Sequence, residues 1–210
     1  MNILKTQTKE IRDLKELYMK NYVQVKKRLL EFQMVNKSSN DILMNELFFC
    51  LLTPQSNAFA CDQAVTRINQ INNKDNVKSL EQAIYPIRFY RHKAAYVKEA
   101  LSLLNNISEF RNGDPYLLRE LLVKNVKGLG YKEASHFLRN IGHNNLAILD
   151  RHILKNLISF NVIESIPNTL TKSKYLEIEQ RFKEFANFVD IPMGDLDLIF
   201  WAKQTGVIFK

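Results

Sequence analysis

Residues 125–142 read NVKGLGYKEASHFLRNIG, with two glycines around one leucine between two segments of helical spacing. Upstream, PYLLRELLVKNV brings Leu117, Leu118, Leu121, Leu122 and Val126 to one apolar face. Downstream, Ala134, Phe137, Leu138 and Ile141 recur at i, i+3, i+4 and i+7, the period of an amphipathic helix. Two such segments joined by so short a turn must double back as a helical hairpin, over about residues 116–142. Gly128 and Gly130 would both reach positive φ, which other residues resist. Gly142 is placed to close the second helix from its C′ position.

The rest of the chain keeps the same period. Six glycines and five prolines punctuate 210 residues, and no long β-branched alternation appears. An all-α protein of short helices is therefore expected. A first stripe runs through Ile11, Leu14, Leu17, Tyr18, Val25, Leu29 and Leu30. Asp41 is the expected cap of ILMNELFFCLL, and Thr53-Pro54 the expected N-cap and N1 pair opening QSNAFACDQAVTRINQI. The proline of SLEQAIYPIRFY ends one helix before RHKAAYVKEALSLLNNI begins the next. Asp114-Pro115 opens the first hairpin helix, and further helices are expected over 132–141, 151–159, 172–190 and 194–203.

Composition narrows the function. A hydrophobic content of 46% suffices for one large domain or two small lobes. The net charge of +8 and pI near 9.4 favour an anionic partner, with nucleic acid ahead of a membrane surface or an acidic protein. The charged N-terminal segment lacks the apolar core of a signal peptide, and no apolar run approaches about 18 residues, so neither secretion nor a membrane span is expected. Cys50 and Cys61 sit in apolar helical settings and read as buried free thiols; two cysteines cannot make a four-thiolate metal site. His136, His143 and His152 have no Cys or Glu constellation around them, so no metal centre is expected.

The glycine turn joins onto a helix start, where bare N–H groups and the helix dipole suit a phosphate. A P-loop is excluded, because Lys132 is preceded by Tyr131 and followed by Glu133 rather than Ser or Thr. A lysine in a first helical turn opposes the dipole at a cost of about 0.3–1 kcal/mol. That is the wrong sign for a merely solvated residue and the right one for an amine that must act as a neutral nucleophile. Asp150 is sufficiently explained as the N-cap of RHILKNLISF. Lys132 and Asp150 together, behind a hairpin suited to phosphate, point to chemistry.

VKGLGYKEASHFLRN followed by LAILDRHIL resembles the helix-hairpin-helix, Gly-Pro-Asp superfamily of DNA glycosylases, with Ile148 and Leu149 standing where the superfamily name has Gly-Pro. With LTPQS upstream and FWAKQTGVIFK at the end, the chain from about Leu47 to Lys210 is similar to the type-2 8-oxoguanine DNA glycosylase/lyases. The lack of four cysteines separates it from the iron–sulfur endonuclease branch. The resemblance implies a two-lobed helix-hairpin-helix glycosylase fold forming a single domain over 1–210. It implies Lys132 and Asp150 as the catalytic pair, and Gly128 and Gly130 at the DNA phosphates. Gln55 would fill or read the gap left by a flipped base, while Trp201, otherwise a core residue, would form a wall for the flipped purine. The implied partner is duplex DNA containing oxidised guanine, without a metal or organic cofactor. A monomer with no obligatory protein partner, in a prokaryotic cytoplasm near the nucleoid, completes the expectation.

Two further features bear on that reading. Val207, Ile208 and Phe209 are too apolar for a frayed tail, so a docked terminus is expected. Its carboxylate would accept from N7–H of 8-oxoguanine, a donor that guanine lacks, and the resemblance implies Lys210 in the same recognition. Arg88, Arg91, His92 and Lys93 interleave with Phe89, Tyr90 and Tyr96 as either a backbone contact or a solvated face. Competing readings are a non-enzymatic hairpin that only grips phosphate, and a glycosylase for another damaged base.

Overall fold

The computed structural model describes residues 2–210, with side chains from Lys9 onward, and every regular element among them is helical. The helices are α1 (Asn2–Asn36), α2 (Asn40–Leu52), α3 (Ala58–Asn69), α4 (Val77–Ile84), α5 (Tyr90–Ala100), α6 (Pro115–Asn125), α7 (Tyr131–Asn140), α8 (Arg151–Ser159), α9 (Lys172–Val189) and α10 (Met193–Thr205). They form two compact units. One comprises residues up to Phe32 together with Asn144–Lys210, the other Gln33–His143.

In the second of these units α2 is apolar all round. Leu43, Met44, Leu47, Phe48, Phe49, Cys50, Leu51 and Leu52 are all buried, as a helix surrounded by neighbours requires. It packs on α3, α5 and α7, and α7 pairs with α6 as the hairpin. Glu46 on this core helix is matched by Asn140, whose amide donates to Glu46 Oε2 at 2.7 Å. Cys50 and Cys61 are buried free thiols, as expected.

The other unit is built from α1 up to Phe32 with α8, α9 and α10. Its core is aromatic: Phe200 stacks on Phe160 and Phe182 with centroids 5.7 and 5.9 Å away. The start of α10 is anchored through buried Asp195, which accepts from Tyr18 Oη at 2.7 Å and pairs with Lys26 at 2.6 Å. Burial comes first, and the hydrogen bond to Asp195 second, in pushing the Tyr18 phenol above its ordinary range.

Four sequence expectations need correction. Ser39, not Asp41, precedes α2, and Asp41 lies in its first turn, where a carboxylate meets the positive end of the dipole. Thr53 ends α2, and Pro54 lies in a turn; α3 begins only after Asn57, whose side chain accepts from Ala60 N at 3.1 Å. Gly130 has φ −93°, so only Gly128 of the pair adopts positive φ. Leu30, Leu117 and Leu121 are exposed, and the α1 stripe ends on Phe32 instead. The α6 face is narrower than its leucines suggest because buried Arg119 shares it.

Candidate active site

Between α6 and α7 the chain turns through Val126–Gly130. Gly128 takes φ +91°, and a Cβ there would lie 2.5 Å from the Tyr96 ring, so conformation and close approach both demand glycine. Leu129 is buried and plugs the turn into the core. Arg119 of α6 staples the hairpin: it donates to Ser135 Oγ of α7 at 3.2 Å, and its guanidinium lies 5.5 and 5.1 Å from the Tyr116 and Tyr131 rings. At the far end α7 closes as expected on Gly142 (φ +102°), with Gly142 N–H to Arg139 O and His143 N–H to Leu138 O.

Gly130 is the N-cap of α7, and being glycine it offers no side chain to the first-turn N–H groups. Lys132 lies in that first turn with its side chain 23% exposed. Its Nζ is 2.9 Å from Glu133 Oε1. Glu133 thus has a role the sequence reading did not give it, since it holds the ammonium of Lys132.

Behind the hairpin lies a second lysine. Lys93 on α5 is 3% exposed and donates to Leu52 O, Pro54 O and Ser56 Oγ. These acceptors belong to the turn that carries Gln55, which is exposed and has φ +53°. Burial first, with the charge of Lys132 adding to it, lowers the Lys93 pKa to about 8. The neighbouring Cys61 thiol is pushed up to about 11 by burial. Of the basic-aromatic stretch, Arg88, Phe89, Arg91 and His92 are exposed. Phe89 adopts φ +60°, with the Arg88 guanidinium 4.7 Å from its ring centroid.

Asp150 belongs to the other unit. It is the N-cap of α8, its Oδ1 accepting from Ile153 N at 2.8 Å. The segment leading to it, residues 146–149, is buried and has no regular secondary structure. Two α9 side chains hold it: Glu179 Oε1 accepts from Ala147 N at 2.8 Å, and Tyr175 Oη donates to Ala147 O at 2.5 Å. His152 follows half-buried, its Nδ1 without a hydrogen-bond partner among the described residues. Arg151 is exposed.

Trp201 of α10 is half-buried, and Phe209 folds back to bring its ring 6.0 Å from the indole at a 31° tilt. Ile208 lines a small cavity with Gln24, Lys27, Arg28 and Glu31 of α1. Ile208 and Phe209 therefore dock as expected while Val207 stays exposed, and Lys210 follows directly, half-buried. Lys132, Gly128, Gly130 and Gln55 thus lie in one unit, and Asp150, Trp201 and Lys210 in the other. His136 is buried edge-on to Phe49 and His143 bonds Phe110 O, so both serve the core. Among the described residues no group of three or more His, Cys, Asp or Glu could hold a metal ion, and no helix is long and apolar enough to cross a membrane.

A family model described as 8-oxoguanine DNA glycosylase matches residues 25–191. The chain belongs to the 8-oxoguanine DNA glycosylase family. It is 42% identical over 210 residues to the 8-oxoguanine DNA glycosylase/AP lyase of Fusobacterium nucleatum, covering 94% of this chain and 96% of that protein. It is 38% identical to the protein of the same name from Methanocaldococcus jannaschii, covering 96% and 98%. The crystal structure of the latter archaeon's 8-oxoguanine glycosylase/lyase, in complex with a 15mer DNA containing 8-oxoguanine, matches with a TM-score of 0.89 at 35% identity, over 95% of this chain and 99% of that one. The 8-oxoguanine DNA glycosylase of Thermotoga maritima matches with a TM-score of 0.88 at 30% identity, over 97% and 100%.

In this member of the 8-oxoguanine DNA glycosylase family the sequence did not reveal which side chains hold the turn and segments around the expected site residues. Lys93, Arg119, Tyr175 and Glu179 are all polar residues on helix faces that bury. Their signal was present as a polar residue within an apolar stripe, but a stripe does not say which acceptor waits opposite.

Proposed function

We infer that the chain is an 8-oxoguanine DNA glycosylase with AP lyase activity, excising 8-oxoguanine from duplex DNA and cutting the strand at the resulting abasic site. The observation that carries the assignment of roles is Lys132, half-buried in the first turn of a helix whose glycine cap leaves its N–H groups open. In the free chain Glu133 holds the Lys132 ammonium. The amine must lose its proton and that contact before it attacks C1′ of the flipped nucleotide. Bond formation from Nζ to C1′ expels the base, and ring opening leaves an imine on Lys132. Loss of a C2′ proton beside that imine then expels the 3′ phosphate by β-elimination. Asp150 stabilises the positive charge that develops on the sugar.

Gly128 and Gly130 belong at the phosphates in this reading. Gln55, exposed on its turn, fills or reads the space the flipped base leaves, and Trp201 with Lys210 recognises the oxidised purine. The chemistry requires no cofactor and no second protein, and its place is with the chromosome in a prokaryotic cytoplasm, the chain acting as a monomer.

The test uses duplexes each carrying one defined lesion, with borohydride present to trap the imine. Cleavage and a covalent adduct at 8-oxoguanine, and no adduct from Lys132→Gln although it still binds DNA, are expected. An adduct of undiminished yield from the Gln variant removes Lys132 from the role, and trapping only at another lesion replaces the substrate.

A further inference from the structure

Lys93 is a buried cation on a helix that otherwise fills its inner face with Ala94, Val97 and Ala100. An ammonium carries three donors, and each finds an acceptor: Leu52 O at 2.6 Å, Pro54 O at 2.8 Å and Ser56 Oγ at 2.8 Å. Pro54 and Ser56 lie in the short stretch between α2 and α3, and Leu52 directly precedes it. Leu52 is the last residue of α2, so its carbonyl has no partner within the helix. An apolar residue at position 93 would leave Leu52 O with only the weak Cys61 Sγ donor at 3.2 Å and Pro54 O with only Ser56 Oγ at 3.3 Å. The same stretch holds Gln55 in the left-handed region at φ +53°, a conformation that persists only where the surroundings over-determine it.

We propose that Lys93 is a positioning residue, gripping the 52–56 turn by three hydrogen bonds so that Gln55 is presented to the duplex in one fixed conformation. A turn ordered before DNA arrives loses less conformational freedom on binding than one that must be ordered by it. The cation is not isolated: Cys61, Lys132, Glu133 and Arg88 all act on it electrostatically. Glu133 alone among these is a carboxylate, and it is already engaged by Lys132. The neutral carbonyls of the turn are therefore what compensates the buried charge.

The consequence for catalysis rests on the role proposed for Gln55, so the test separates the grip from its use. Hydrogen exchange reads the grip directly, through the Ser56 amide that donates to Thr53 O at 3.0 Å. In Lys93→Met, exchange of that amide is expected to rise by roughly 10-fold or more while α7 amides keep their protection. Single-turnover excision of 8-oxoguanine is expected to fall roughly 10- to 100-fold, with cleavage at a preformed abasic site changed by less than about 3-fold. Lys93→Met with Gln55→Ala should be no slower than the slower single variant, because both act through one side chain. Ser56→Ala removes one Lys93 acceptor together with the Ser56 Oγ bond to Pro54 O at 3.3 Å, and should move the same readouts in the same direction by a smaller factor, which keeps the test open if Lys93→Met does not fold. Unchanged Ser56 exchange in both variants, or rate losses that multiply in the double variant, overturns the proposal. Raised exchange with normal excision in both Lys93→Met and Gln55→Ala leaves the grip standing and refutes the role given to Gln55.

Discussion

The starts of α7 and α8 place a candidate catalytic side chain at the same kind of position, and they treat that position in opposite ways. At α7 the cap is Gly130, which has no side chain, and the lysine follows inside the first turn. At α8 the aspartate itself is the cap, one carboxylate oxygen spent on Ile153 N. The first helix start is open, with its donors available to a phosphate and its field directed against a cation. The second is closed by Asp150 itself, the residue to which the proposed function gives a charge role, and its field holds that carboxylate in place. A helix N-terminus is thus not one device. It serves as an anion site when the cap is bare, and as a mount for an anion when the cap is acidic.

The sharpest way to break this comparison is to separate the cap from the charge at α8. Asn caps a helix about as well as Asp, so Asp150→Asn should change stability by under about 0.5 kcal/mol while lowering single-turnover base release by roughly 100-fold or more. Asp150→Ala should lose both, with about 1 kcal/mol of stability gone. Denaturant melts beside single-turnover kinetics decide it. If Asp150→Asn works normally and only the Ala variant suffers, Asp150 is a cap and nothing more.

At α7 the experiment is to close what is open. Gly130→Ser supplies the missing cap; its Cβ would meet only Glu133 Oε2, at 3.2 Å, the end of a side chain that can shift. Stability should rise by a few tenths of a kcal/mol while affinity for undamaged duplex falls several-fold at low salt. Gly128→Ala is the contrast: at φ +91° and against the Tyr96 ring it should cost about 1–3 kcal/mol. Equal affinity of Gly130→Ser and the unmodified chain for undamaged duplex would remove the helix start from DNA binding.

The smallest effect concerns a third helix end, the C-terminus of α2, closed by Lys93. Its pKa is about 8 when folded against 10.5 ordinarily, so the unfolded chain binds more protons between these values and stability rises with pH there. Cys61 works the other way, moving from 9.0 to about 11, so its contribution falls across that interval. The window that isolates Lys93 is therefore pH 8 to 9, where urea melts should gain about 1 kcal/mol. Lys93→Met should show no such rise, and an equal rise in that variant assigns the effect to another group.

Much of this protein was decided along the chain. The 3.6-residue period, the scarcity of glycine and proline and the Gly-Leu-Gly turn made it helical and placed the hairpin, because those signals act between neighbours three or four residues apart. The wording around Lys132 and Asp150 carried the family for the same reason, since a turn and the helix start after it are local structures. Thr53-Pro54 looks like a helix start in sequence, but α3 begins after Asn57, because Lys93, distant along the chain, binds Leu52 O and Pro54 O and holds the stretch as a turn. A leucine stripe through Leu117 and Leu121 looks continuous in sequence, whereas buried Arg119 takes part of the inner face of α6 by reaching Ser135 beside two tyrosine rings. Tyr175 and Glu179 hold the approach to Asp150 from a helix that follows it in the chain. What only the tertiary structure decided is which buried donor meets which buried acceptor, because a hydrogen bond between distant residues leaves no period in the sequence and is fixed by packing alone.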